Sequence, residues 1–211
     1  MLINRISILV IIIFHLVGLV GILFFDRAYF ISLTPLNLLI TLCFFLVAEL
    51  RSKARLDRNN WLIMSIAIAV LGYLVELIGV KTGSIFGQYQ YGETLGAKLL
   101  DVPLVIGVNW CLLLIGSASV ANKYKNYWVK LFVGASLMVA LDLLIEPIAV
   151  SFNYWSWAGN TIPIQNYVAW WIVSFILLAL VFKMNSYITS KVGEWIYLIQ
   201  VIFFSLLNLM L

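Results

Sequence analysis

Trp128-Val-Lys-Leu-Phe-Val-Gly-Ala-Ser-Leu-Met-Val-Ala-Leu-Asp142-Leu-Leu-Ile-Glu146-Pro147-Ile-Ala-Val150 carries one lysine near its start and two acids near its end; every other residue is apolar or small. About 20 such residues cover the roughly 30 Å of a bilayer's hydrocarbon core, so the run reads as a membrane-spanning helix. Six further apolar stretches flank it. Together they predict seven spans at 6–25, 33–50, 61–79, 102–121, 128–150, 165–183 and 194–211. The expected fold class is all-α, a polytopic membrane bundle of about seven transmembrane helices, forming a single transmembrane domain over residues 1–211.

Composition supports this reading. Of the 211 residues 64% are hydrophobic and only 10% charged, against roughly 25% charged in soluble domains. No polar segment is long enough to build a second core. The first span is read as a helix and not a secretory signal. Its apolar run is too long for a signal core, and no small-x-small site follows near Phe24-Phe25-Asp26. Cys43 and Cys111 fall in different spans and are expected to be packing residues.

The net charge of +4 reports topology and no nucleic-acid partner. Arg5, Arg51, Lys53, Arg55, Arg58, Lys123, Lys125, Lys130, Lys183 and Lys191 all fall on one side of a seven-span chain. Only Arg27, Lys81 and Lys98 fall on the other. Under the positive-inside rule this places the N-terminus in the cytoplasm and the C-terminus outside. The connections 80–101 and 151–164 then both lie on the outer side.

Polar residues gather beneath those two connections. Glu76 lies near the outer end of the third span, and Asp101 begins the fourth with Asn109 about two turns deeper. Asp142 and Glu146, four residues apart, share one face of the fifth helix. At 1.5 Å rise per residue they sit about 12 Å and about 6 Å below its outer end. Asn166 opens the sixth span, with Trp170 and Trp171 a turn further in. A carboxylate inside a span costs a few kcal/mol and marks function more often than packing, although hydrogen bonding between helices is the alternative. A carboxylic acid that keeps its proton in a dry site can donate it.

Pro147, next to Glu146, removes a backbone hydrogen bond and is expected to kink the helix beside the acid. Between Gly79 and Gly96 glycines recur at 83, 87 and 92. That spacing suits helix packing, but Phe86-Gly-Gln-Tyr89-Gln-Tyr91-Gly alternates in period two. A compact lid or re-entrant turn over the outer mouth is expected here, with Pro103 starting the fourth helix. The second outer connection, with Tyr154, Trp155 and Trp157, reads either as an interfacial anchor or as aromatic faces that steady a cation. His15, alone in the first span, is expected to hydrogen-bond between helices. One histidine and dispersed acids argue against a metal centre, so no metal and no cofactor is expected.

Residues Glu76-x-x-Gly79-x-x-x-Gly83-x-x-Phe86-Gly87-x-Tyr89-x-Tyr91, then Leu95-Gly96, Val102-Pro103-Leu104 and Asn109-Trp110, resemble the membrane-integral carotenoid-biosynthesis proteins that include the carotenoid 1',2'-hydratases. Asp142-x-x-x-Glu146-Pro147, Trp155-x-Trp157, Pro163, Asn166 and Trp170 fit the same pattern, and the likeness covers about 76–171. It implies addition of water to the terminal double bond of a linear carotenoid end group. The implied setting is a bacterial inner membrane, with a lipophilic carotenoid, the bilayer and other enzymes of the same pathway as partners.

Protonating the less substituted carbon of such an alkene gives a tertiary cation, which water captures. That chemistry needs a neutral acid, a base to orient water and aromatic faces around the cation. Glu76, Asp142 and Glu146 are the expected acid/base set. Asn109 and Asn166 would position water, while Tyr89, Tyr91, Trp110, Trp155 and Trp170 would line the site. Cyclisation, as in small lycopene cyclases, shares the protonation step and stays open. A retinal protein would need a lysine within the bundle, and the last span has none. A transporter would more often show internal repeats, and none is evident.

Overall fold

In the computed structural model, which describes residues 2–52, 58–184 and 190–211, helices follow the apolar runs closely. They are α1 (Leu2–Phe24), α2 (Arg27–Ser32), α3 (Thr34–Leu50), α4 (Arg58–Thr82), α5 (Val105–Ala121), α6 (Tyr127–Ser151), α7 (Ile164–Met184) and α8 (Lys191–Met210). Among the described residues α1, α4, α6, α7 and α8 are long and apolar enough to cross a membrane. The protein is therefore an integral membrane protein. The other two expected spans, α3 and α5, have 17 residues each, about 25 Å of helix.

Local chemistry sets the helix starts. Asn126 accepts from the Trp128 and Val129 amides to cap α6, and Ser190 accepts from the Gly193 amide to cap α8. Such caps satisfy donors that the helix leaves unpaired. Pro35 sits in the first turn of α3, where its missing N–H costs nothing.

α5 is the hub, with nearly all its side chains buried against α4, α6, α8 and α3. Small residues let the helices approach. A methyl group on Gly107 would meet the Ala69 carbonyl of α4 at 2.8 Å, and one on Gly116 would meet the Gly193 carbonyl of α8 at 3.0 Å.

The basic residues collect at one end of this bundle. There Ser190 Oγ donates to Glu49 and Ser119 Oγ accepts from the Ser190 amide, joining the ends of α3, α5 and α8. Lys130 donates to Asn122 and lies 5.5 Å over the Phe182 ring, adding α6 and α7. The rings of Phe45 and Trp61, 5.5 Å apart, bring in the start of α4. Lys53 and Arg55, expected in the same group, lie outside the described residues.

At the opposite end the two long connections fold against each other. Strand β1 (Tyr89–Tyr91) pairs antiparallel with a strand of the second connection, Trp155–Trp157, which is β4 in chain order. The expected lid is thus a two-stranded ladder with one strand from each connection. Between them in sequence, β2 (Lys98–Leu99) and β3 (Val102–Pro103) form a hairpin turned by Leu100 and Asp101, both at positive φ. This corrects two expectations: Asp101 and Pro103 belong to the hairpin, and the helix begins at Val105. Asp101 is exposed and pairs with Lys81, in the last turn of α4, at 2.5 Å. The α6 helix runs on through Pro147, and that ring leaves the Leu143 carbonyl without its intrahelical donor.

Candidate functional site

Period-two alternation turns Tyr89 and Tyr91 to the same face of β1, and Trp155 and Trp157 to the same face of β4. The register opposes Tyr89 to Trp157 and Tyr91 to Trp155. This aromatic face lies over the bundle end and meets two buried acids. Tyr89 Oη donates to Glu76 Oε2 at 2.5 Å and Tyr91 Oη to the same oxygen at 2.8 Å. Trp110 Nε1 of α5 donates to Glu76 Oε1 at 3.0 Å. Glu146 is held in the same way by the other strand. Its Oε2 accepts from Trp155 Nε1 at 3.1 Å and Trp157 Nε1 at 2.8 Å, and its Oε1 accepts from Asn166 Nδ2 at 3.2 Å.

Glu76, Glu146 and Asp142 are 4%, 2% and 1% exposed, so all three carboxyls are withdrawn from solvent. Burial, and then the neighbouring Glu76 carboxyl, hold the Tyr89 and Tyr91 hydroxyls far above the ordinary phenol range. Both phenols therefore keep their protons and remain donors.

A cavity of about 30 Å³ lies among these groups, lined by Glu76 and Glu146 and by Tyr89, Tyr91, Asn109, Trp110, Trp155, Asn166 and Trp170. A single water needs about 10–15 Å³ of such space, so the cavity is sized for water. Asn109 makes no side-chain hydrogen bond among the described residues, which leaves its amide to whatever the cavity holds. Trp110 and Trp170 stack at 4.3 Å with their planes 12° apart and form one wall.

Nine of the ten expected site residues line this cavity, and Asp142 is the exception. It lies behind Asn166, whose Nδ2 donates to Asp142 Oδ2 at 2.9 Å and also to Glu146. Phe86, Ile106 and Trp157 line the cavity as well. Trp157 shares the parity of Trp155, a signal present in the sequence. Ile106 carries no such signal among so many aliphatic residues. His15 lies far from this group, within 3.3 Å of Gln200 on α8. Cys43 is exposed and Cys111 buried, both as free thiols.

The chain is 30% identical over 123 residues to a bisanhydrobacterioruberin hydratase of Haloarcula japonica, a match that covers 54% of this chain and 42% of that protein. The matched stretch is thus less than half the length of that relative. No solved structure matches. Residues 35–211 match the family described as carotenoid biosynthesis protein, and the chain belongs to that family.

Proposed function

We propose that this protein is a carotenoid hydratase, adding water to the terminal 1',2' double bond of a linear carotenoid end group. One observation carries the reading: two buried carboxyls, Glu76 and Glu146, face a single water-sized cavity walled by aromatic rings. The hydratase relative points the same way.

In this scheme one carboxylic acid gives its proton to the less substituted alkene carbon. The π pair forms the new C–H bond, and the positive charge moves to the tertiary carbon. The stacked faces of Trp110 and Trp170 stabilise that charge. The second carboxylate draws a proton from water as its oxygen bonds to the cation, giving a tertiary alcohol. Asn109 and Asn166 orient the water. Asp142 acts through Asn166, fixing the amide against Glu146.

The cavity admits water but not an isoprenoid end group, so the ladder over it shifts when the polyene enters from the bilayer. A water-sized space beside both acids favours hydration over ring closure. On the charge distribution, the basic end faces the cytoplasm and the site lies under the outer leaflet of a bacterial inner membrane.

The test is production of the chain in a host that makes a lycopene-type polyene, with the product weighed. Gain of one water per modified end supports hydration. An isomeric product means cyclisation. Unchanged polyene overturns both.

A further inference from the structure

A second feature lies at the opposite, basic end of the bundle. The first turns of α1 and α8 run side by side there and leave a groove of about 520 Å³ between Asn4, Arg5, Leu9 and Ile12 of α1 and Lys191 and Trp195 of α8. The α1 residues fall at helical spacing and form one continuous wall. That wall is aliphatic below Arg5. Leu9 and Trp195 remain well exposed, so the groove opens sideways to lipid.

The charge at its mouth is not neutralised. Arg5 has no ion-pair partner among the described residues. Lys191 meets Glu194 at 3.1 Å, but the same carboxylate is shared with Lys123 at 3.7 Å. Glu194 is thus shared by two lysines and leaves Arg5 unmatched at the groove. Strong local positive charge above an apolar trough matches a single chemistry, an anionic head group joined to a hydrocarbon chain. Basic pockets between membrane helices hold such head groups, and indole rings favour the head-group level.

We infer that this groove binds an anionic phospholipid from the surrounding bilayer. The phosphate sits between Arg5 and Lys191, one acyl chain runs along Leu9 and Ile12, and the Asn4 amide donates to a head-group oxygen. Bound there, the lipid bridges α1 and α8, which pack together along the bundle. The site is independent of the proposed hydration.

Native mass spectrometry of the full chain tests the inference, after exchange into detergent with equimolar phosphatidylglycerol and phosphatidylcholine. The wild-type protein should retain phosphatidylglycerol preferentially. Each cation near a membrane surface is worth about a fivefold preference, so Arg5→Gln with Lys191→Gln should reduce retention roughly 20-fold. Arg27→Gln removes the same charge at the far end and should leave retention unchanged. Leu9→Trp fills the trough while keeping both cations and should also abolish retention. Glycerol phosphate, a head group without chains, should neither be retained nor displace the lipid. Equal retention of the two lipids overturns the inference. So does an unaltered double variant, an equal loss in Arg27→Gln, unaltered retention in Leu9→Trp, or retention of glycerol phosphate.

Discussion

Tyr89 and Trp157 face each other across the β1–β4 ladder with ring centroids 5.0 Å apart, yet each gives its hydrogen to a different acid. The phenol goes to Glu76 and the indole to Glu146. The lid and the two carboxyls are therefore one mechanical unit. A shift of the ladder changes the hydrogen bonding of both acids together.

Glu76→Gln and Glu146→Gln keep shape but cannot exchange a proton at the cavity. Each should reduce hydrated product by about 10²–10⁴-fold while the protein still inserts in the membrane. Asp142→Asn should leave measurable turnover, because Asp142 reaches the cavity only through Asn166. Product quantified per unit of membrane-extracted protein checks all three. Near wild-type turnover in both glutamine variants would remove the proposed site.

Tyr89→Phe and Tyr91→Phe each delete one donor to the same Glu76 oxygen. A hydrogen bond contributes about 0.5–1.5 kcal/mol net, so each single variant should lose stability on that scale. Because the two donors share one acceptor, the double variant should depart from additivity. Thermal unfolding in detergent, run as a double-mutant cycle, reads the coupling.

Gly72 of α4 lies against Cβ and Cγ of Trp110, so a methyl group there has no room. Gly72→Ala should cost about 1–3 kcal/mol through overpacking and push the indole away from Glu76. Both a lower unfolding midpoint and reduced product are expected. An unchanged midpoint would mean that α4 and α5 separate freely.

Lys81 beside Asp101 holds that carboxyl below its ordinary range. A depressed folded value adds stability above the unfolded carboxyl range near about pH 4, and the contribution fades as pH falls through the folded value. Both groups are well exposed, so the effect is small. Asp101→Asn should therefore lower the unfolding midpoint slightly at neutral pH, with the gap to wild type closing in acid. Turnover at neutral pH should not change, since Asp101 lies in the hairpin away from the cavity.

What could be read from the residues alone was periodicity and composition. Apolar runs too long for a soluble protein located seven of the eight helices among the described residues to within a few residues, because bilayer thickness and backbone hydrogen bonding leave little freedom. The six-residue α2, outside every such run, gave no signal. Acids placed in such runs marked Glu76, Asp142 and Glu146, since burying a carboxyl in hydrocarbon is costly wherever the chain goes. Tertiary structure decided which groups meet. The pairing of Tyr89 with Trp157 joins residues far apart in sequence, and alternation within each segment gives no register between segments. The same holds for Asp142. Its helical face is set by the Glu146 spacing, but its place behind Asn166 depends on how α6 packs against α7, and packing between apolar helices follows side-chain shape that no local pattern encodes.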